Sequence, residues 1–214
     1  MAHVFIAGGT GYMGKRLIAR LLERGHRVRA LARAGSEKRL PSGCALVSGT
    51  PLEFSTFADQ IAPADTYVHL VGVAHPSPSK AAEFKAIDLK SIEVAVPAAL
   101  AAKVNHFVYV SVAHPAPMMK AYIEVRTQGE ELIRQSGLNA TLLRPWYVLG
   151  SGHRWPYLLK PLYFLCEQIP STRAGARRLG LVTLPQMLAS LTKAVEQPAS
   201  GIRVVELPEI RNAL

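Results

Sequence analysis

The strongest constraint on the fold is a glycine-rich turn near the start of the 214-residue chain. Glycines at positions 8, 11 and 14 separate a short apolar run, 4–7, from an amphipathic run, 17–22, which predicts a strand, a tight turn and a helix. A Cβ atom at such glycines would keep a phosphate away from the backbone amides and the helix N-terminus. We therefore predict that the turn holds a dinucleotide pyrophosphate through Gly8, Thr10, Gly11, Tyr12, Met13 and Gly14. A strand–helix turn without a ligand is the alternative.

Beyond the turn, strand-like and helix-like segments alternate along the chain. Strands are predicted at 26–33, 45–47, 66–71, 106–111 and 140–143, and a short helix or loop at 52–61. Longer helices are predicted at about 80–103, with a kink at Pro97, and from 118 or 122 to 135. Thr183 is predicted to cap a last helix, 185–196, before a terminal strand, 202–207. This alternation predicts an α/β fold with a doubly wound parallel sheet of the Rossmann type.

The pattern loosens after residue 150, where prolines interrupt the apolar segments. Residues 1–150 are predicted to form the dinucleotide-binding Rossmann core. Residues 151–214 are predicted to form a small C-terminal cap that completes the same single domain, because this tail is too short and too broken to fold alone. The cap is expected to lie over the carboxyl ends of the strands.

Composition narrows the class of protein. Hydrophobic residues make up 49% and charged residues 19% of the chain, which is typical of a globular protein. No apolar run approaches the roughly 20 residues that span a membrane, and strand-forming residues begin almost at Met1, so no signal peptide is expected. Cys44 and Cys166 lie far apart without metal-ligand spacing, which predicts cytoplasmic thiols and no metal site.

The net charge of +10 is spread along the chain without a nucleic-acid-binding motif, so no nucleic-acid partner is expected. An anionic cofactor or an anionic membrane surface suits this charge better. Peripheral membrane contact is left open, since the apolar run 157–165 lies near Arg173, Arg177 and Arg178 and would suit a quinone or lipid. Packing of this run into the core is the simpler interpretation. The oligomeric state is left open.

The end of the second predicted strand indicates which dinucleotide is bound. An acidic residue there would bind the ribose hydroxyls of NAD, whereas this chain has Arg33, followed by Lys38 and Arg39. An arginine can pair with the 2′-phosphate of NADP. We therefore predict NADP ahead of NAD, with Arg33 as the phosphate partner. A solvated surface charge is the alternative interpretation of Arg33.

Four segments carry a resemblance to a known superfamily. They are the turn Gly8-x-x-Gly11-x-x-Gly14, the strand and loop at 65–72, the strand at 107–111 with Tyr122-x-x-x-Arg126, and Ser136-Gly137-Leu138 to Leu143-Arg144-Pro145. On these motifs the chain resembles the atypical or extended short-chain dehydrogenase/reductases, in particular the NmrA-like and NAD-dependent epimerase/dehydratase-like proteins. The resemblance implies that Val71, Gly72 and Pro145 lie beside the cofactor.

The resemblance also implies a catalytic set. In catalytic members, a tyrosine exchanges a proton with the reacting carbonyl or hydroxyl, a lysine four residues later supports the phenol, and a serine polarises the oxygen. Here these positions hold Tyr122, Arg126 and Ser111. Arginine can stabilise a phenolate but cannot pass protons. The implied function is a reductase or epimerase-like oxidoreductase acting on a small carbonyl or hydroxyl compound.

The arginine keeps two other functions open. One is a non-catalytic NAD(P)-binding redox sensor or assembly protein, in which Tyr122 is a packed aromatic and Arg126 pairs with Glu130 one turn later. The other is a membrane-peripheral reductase of a quinone or lipid.

Asp88 stands where relatives often carry asparagine. His75 and His114, each within Val-Ala-His-Pro, could act as general acids, but the sequence positions no carboxylate to orient them, and loop caps are favoured.

Overall fold

The computed structural model describes residues 1–150, 168, 169, 175 and 178–214. Its strands are His3–Ala7 (β1), Arg27–Ala32 (β2), Ala45–Ser48 (β3), Thr66–His69 (β4), His106–Val110 (β5), Ala140–Arg144 (β6), Tyr147–Leu149 (β7), Leu181–Thr183 (β8) and Ile202–Glu206 (β9). Seven of them form one parallel sheet in the order β3-β2-β1-β4-β5-β6-β9. The order reverses between β1 and β4, the switch point of a Rossmann fold. The predicted doubly wound sheet is confirmed.

The helices of the described residues are Gly14–Glu23 (α1), Ala81–Glu83 (α2), Lys90–Ala101 (α3), Lys120–Gln135 (α4), Leu184–Glu196 (α5) and Leu207–Arg211 (α6). Between α2 and α3, residues Phe84–Leu89 form a π-helix, so the irregular turn falls around the buried Asp88, whereas Pro97 lies inside α3. Short 3₁₀ turns occupy much of the region 52–61. Thr183 caps α5 as predicted, in a reciprocal capping box with Gln186.

Alternate side chains of each central strand face two different helical layers. Along β1, Phe5 and Ala7 pack on the side of α3 and α4, while Val4 and Ile6 pack on the side of α1 and α5. This two-residue period is what a strand buried on both faces requires. Burial of each large apolar side chain contributes roughly 1.5–3 kcal/mol, so the two cores hold the strand ends in fixed positions.

The described part of the predicted C-terminal cap takes part in the main sheet. β9 pairs with β6 at the sheet edge, and α5 packs against α1. β7 and β8, which the sequence analysis did not predict, form a separate two-stranded sheet. Residues 178–214 therefore do more than cover the strand ends. The boundary at residue 150 stays a prediction, and the run 157–165, Cys166, Arg173 and Arg177 lie outside the described residues.

Candidate functional site

The glycine turn is packed directly against the end of β4. Gly8 has a φ of +88°, and a Cβ atom there would lie 2.7 Å from the Leu70 carbonyl carbon and 3.0 Å from the Val71 nitrogen. The Gly11 amide donates a hydrogen bond to the Gly8 carbonyl oxygen at 3.1 Å, and a Cβ on Gly14 would overlap the same oxygen. The turn has this shape only because these positions lack side chains.

The N-terminus of α1 fits a pyrophosphate. No side chain caps its first turn and no acidic residue lies in it, so the helix leaves amide groups and the positive end of its dipole at the turn. The turn also contains Thr10, Tyr12 and Met13, and the backbone of Val71 lies beside it. The residues predicted to hold the pyrophosphate are thus gathered at the carboxyl edge of the sheet, where open α/β sheets bind ligands.

The end of β2 presents positive charge beside this turn. Leu31 is in register with Ala7, so the exposed Arg33 emerges next to the glycines that follow β1. Lys38 and Arg39 are exposed on the 3₁₀ turn that follows. The role of Arg33 as the partner of a 2′-phosphate stays a prediction.

Helix α4 brings Tyr122 and Arg126 together. The Arg126 Cζ atom lies 5.2 Å from the centroid of the Tyr122 ring and 5.7 Å from that of Tyr109. Tyr122 is half-buried and also packs against Phe84, with ring centroids 5.0 Å apart. A fixed cation therefore lies over the phenol that the resemblance implies as the proton-exchanging group.

The guanidinium of Arg126 is held from several sides. Nη2 donates to Asp88 Oδ1 at 2.6 Å and to the Val71 carbonyl at 3.3 Å, and Nη1 donates to the Val110 carbonyl at 3.0 Å. Asp88 Oδ2 in turn accepts from the Val73 amide at 3.0 Å. The Arg126 side chain is 6% exposed and that of Asp88 is 0% exposed. The ion pair thus ties the π-helix to the ends of β4 and β5.

The suggested i,i+4 partner of Arg126 is wrong. Glu130 is engaged by Arg144 and Ser111 on another side of α4, while the partner of Arg126 is Asp88. Burial opposes the charged form of Arg126, but Tyr122, Tyr109 and Asp88 outweigh it and raise the pKa of the guanidinium above its ordinary value. Arg126 is a permanent cation that cannot pass protons.

Gly72 lies directly against the Arg126–Asp88 ion pair and is also a predicted cofactor contact. A Cβ on Gly72 would overlap Arg126 Nη2 and lie 3.1 Å from Asp88 Oδ1. Arginine in place of lysine and aspartate in place of asparagine are two departures from the family pattern, and these two residues pair with each other. Their complementary charges are the signal that could have identified Asp88 as part of the site.

The Ser111 side chain is part of a buried network. Its Oγ donates to Glu130 Oε1 at 2.6 Å, and the residue is 2% exposed. Arg144 holds both oxygens of Glu130, at 2.9 Å from Nε and 2.5 Å from Nη2. Burial favours a raised pKa for Glu130, but hydrogen bonds from Arg144 and Ser111 hold the pKa below its usual value. A direct contact of Ser111 with substrate would require its hydroxyl to turn away from Glu130.

Pro145 is buried directly after β6, and its carbonyl accepts a hydrogen bond from the Ala113 amide at 2.8 Å. The loops after β5 and β6 therefore run side by side at the same edge of the sheet.

Among the described residues, no cluster of His, Cys, Asp or Glu side chains could hold a metal ion. None of the helices in those same ranges is long and apolar enough to cross a membrane.

The parallel sheet with a glycine turn at its switch point defines a Rossmann-type dinucleotide-binding fold. The model of the NAD(P)H-binding family matches residues 8–153, and the chain belongs to this family. The match confirms the predicted dinucleotide binding. The preference for NADP over NAD stays a prediction.

The chain matches only part of the length of each curated relative. The chain is 27% identical over 169 residues to a 4-hydroxy-2-methyl-3-oxo-4-farnesyl-3,4-dihydroquinoline-1-oxide ketoreductase of Stigmatella aurantiaca, covering 69% of this chain and 50% of that protein. It is 26% identical to photosystem II assembly factor Ycf39 of Cyanophora paradoxa, covering 66% and 44%, and 24% identical to ceramide reductase of Caulobacter vibrioides, covering 97% and 65%. The chain thus spans between 44% and 65% of the length of these relatives.

Solved structures support the fold. The Bordetella bronchiseptica enzyme WbmH in complex with NAD+ superposes with a TM-score of 0.72 at 20% identity, over 96% of this chain and 75% of that chain. At this level of identity the likeness shows the shared architecture.

Proposed function

We propose that this protein is an NAD(P)H-dependent reductase of the atypical short-chain type that acts on a carbonyl group, with Tyr122 as the acid/base residue. The observation that carries the proposal is the Tyr122–Arg126 pair, with Cζ 5.2 Å from the ring centroid, at the carboxyl edge that also holds the glycine turn. A phenol with an ordinary pKa of about 10 needs a nearby cation to exchange protons near neutral pH. Arg126 is that cation.

The residues would divide the work as follows. The glycine turn and α1 hold the pyrophosphate, Arg33 pairs with a 2′-phosphate, and Val71, Gly72 and Pro145 flank the rest of the dinucleotide. A bound reduced nicotinamide supplies the hydride. Tyr122 holds a proton at its phenolic oxygen for transfer to the substrate oxygen, while Arg126 keeps its charge and Asp88 keeps Arg126 in place. Ser111 acts on this site through Glu130, since its hydroxyl donates to that carboxylate.

The substrate we propose is a carbonyl compound with a long apolar chain. Two of the relatives are reductases whose names specify a farnesyl-bearing ketone and a ceramide, and both have such chains. The match to the ceramide reductase covers 97% of this chain. A carbonyl group on a long apolar chain has features of both substrates expected from the sequence, a carbonyl compound and a quinone or lipid.

The test is NADPH oxidation with pairs of ketones that share one head group and differ only in a short or long alkyl chain. We expect turnover with NADPH, weaker turnover with NADH, and a lower KM for the long-chain member of each pair. Equal KM values within every pair would overturn the substrate class. Dinucleotide binding without turnover on any carbonyl would overturn the reductase.

A second candidate function is dinucleotide binding without chemistry. It is favoured by the engagement of Arg126 with Asp88 and of Ser111 with Glu130, which leaves both side chains turned toward protein groups. The similarity to an assembly factor points the same way. This candidate predicts tight NADPH binding, no hydride transfer, and no gain of activity in Arg126→Lys.

A further inference from the structure

The loop that follows β5 carries a histidine beside a buried carboxylate. Nε2 of His114 lies 3.7 Å from Oε1 of Glu130, which is within ion-pair range but longer than a hydrogen bond. The Nε2 atom is buried and has no hydrogen-bond partner in the described part of the chain, yet the side chain as a whole is 21% exposed. The imidazole therefore reaches from the interior to the surface of the sheet edge.

This position lies at the ligand-binding edge of the fold. The Ser111 amide donates to the Leu143 carbonyl at 2.7 Å, and the Ala113 amide donates to the Pro145 carbonyl at 2.8 Å. Residues 111–113 thus extend the pairing of β5 with β6 beyond the strand ends, and His114 follows directly. One residue further on, the Pro115 carbonyl accepts from Arg178 Nε at 3.1 Å, which holds the loop in place.

Glu130 cannot easily turn away from this histidine. Arg144 contacts both of its oxygens and Ser111 donates to Oε1, so the carboxylate has one orientation. A carboxylate fixed in this way orients the Nε2–H end of an imidazole toward itself, as in other sites where a carboxylate holds a histidine. In the described ranges, no hydrogen bond engages Nδ1 of His114, which leaves that nitrogen for a ligand.

We propose that His114, oriented by Glu130, is a further catalytic residue that takes the oxygen-polarising role the resemblance gives to Ser111. The inference rests on the proposed reductase function. With both nitrogens protonated, the ring directs Nε2–H toward Glu130 at the ion-pair distance of 3.7 Å and donates from Nδ1–H to the substrate oxygen. As hydride from the reduced nicotinamide forms the new C–H bond, the electron pair of the C=O bond moves to oxygen. Tyr122 then delivers the proton that completes the alcohol.

Two observations favour His114 over Ser111 for this role. The hydroxyl of Ser111 donates to Glu130 within a residue that is 2% exposed, whereas the His114 side chain is 21% exposed. An imidazolium also brings a full positive charge to the oxygen on which negative charge develops, which a serine hydroxyl does not. Glu130 is a positioning residue in this scheme, because it acts through His114.

The geometry can be tested without cofactor or substrate. In the 15N-histidine-labelled protein, with His114→Asn used to assign the signals, neutral His114 is expected to carry its proton on Nε2. Glu130→Gln is expected to raise the fraction of the neutral ring that carries its proton on Nδ1. A wild-type ring protonated on Nδ1, with Nε2 bare, overturns the proposal even if the Glu130 variant fails to fold.

The catalytic role is tested on a ketone that the wild-type protein reduces. His114→Asn is expected to lower kcat about 100-fold, the usual effect of losing one donor to a developing oxyanion, while the NADPH Kd changes by less than about twofold. His75→Asn, which alters the other Val-Ala-His-Pro segment, serves as the matched comparison. Wild-type kcat in His114→Asn, or an equal loss in His75→Asn, overturns this inference alone. No turnover by the wild-type protein overturns the reductase and this role together.

Discussion

The two ends of the candidate site are built in different ways. At the glycine turn the ligand-binding surface consists of backbone, and its shape follows from missing Cβ atoms at Gly8, Gly11 and Gly14. At α4 the surface consists of side chains, and the position of Arg126 depends on Asp88, a residue 38 positions away in the sequence. The backbone end keeps the family pattern, whereas the side-chain end exchanges two residues together.

The largest expected effect concerns the ion pair at the side-chain end. Asp88→Leu and Arg126→Met should each lower the free energy of unfolding by about 3–5 kcal/mol, because each leaves one buried charge unpaired. The double variant should lose less than the sum of the two. Urea unfolding of all four proteins measures the coupling. Strictly additive losses would show that the two residues do not act as a pair.

Acid should lower the stability of the fold through His69, a buried side chain that the charge of Arg126 affects. Burial, with the charge of Arg126, lowers the pKa of His69 from 6.5 to about 3. The unfolded chain therefore binds this proton first as the pH falls below 6.5, and stability is lost from there down to about pH 3. The full shift corresponds to a loss of about 4–5 kcal/mol from this group. His69→Gln should flatten the pH dependence of the unfolding free energy, and an unchanged slope would contradict this assignment.

A methyl group at the glycine turn should lower NADPH affinity, whereas a methyl group at a glycine outside the turn should not. Gly8→Ala places a Cβ 2.7 Å from the Leu70 carbonyl carbon, whereas Gly25, also at positive φ, has nothing within 4 Å of that position. Gly25→Ala is thus the matched control for backbone strain alone. Calorimetric titration should show a loss of NADPH affinity of at least tenfold, about 1.4 kcal/mol, in Gly8→Ala only. Equal losses in both variants would locate the effect in backbone strain.

The smallest expected effect concerns the choice of cofactor. Arg33→Ser should weaken NADPH binding about fivefold, roughly 1 kcal/mol, and leave NADH binding nearly unchanged. Arg27→Ser removes an exposed arginine from the opposite end of the same strand and should change neither affinity. If Arg33→Ser weakens the binding of NADPH and of NADH equally, Arg33 provides only general positive charge.

Much of the fold could be predicted because it depends on local patterns. The alternating strands and helices and the Thr183 cap follow from residue types a few positions apart. β7 and β8 were missed since three-residue strands carry almost no periodic signal. The π-helix Phe84–Leu89 was not predicted and lies where Asp88 is buried, whereas the kink at Pro97 stays a prediction. The position of the π-helix follows from a tertiary contact, which helix-breaking residues alone do not indicate.

The candidate site was predictable in the same unequal way. Spacing was sufficient to select Gly8–Gly14 and to place Tyr122 and Arg126 on one helix face. The partners of Arg126 and Ser111 were not predictable from spacing, because only the fold brings Asp88 close to Arg126 and Glu130 close to Ser111. The carboxylate that the sequence could not assign to a histidine is Glu130, which lies beside His114.

The central claim is that the side-chain end performs carbonyl reduction with Tyr122 as its acid/base residue. The most direct measurement is the turnover of NADPH by Tyr122→Phe, with NADPH affinity measured in parallel and Tyr67→Phe, a phenol buried in the sheet core, as the matched control. We predict that Tyr122→Phe abolishes turnover at nearly unchanged NADPH affinity, while Tyr67→Phe keeps wild-type turnover. Full activity in Tyr122→Phe would contradict the account.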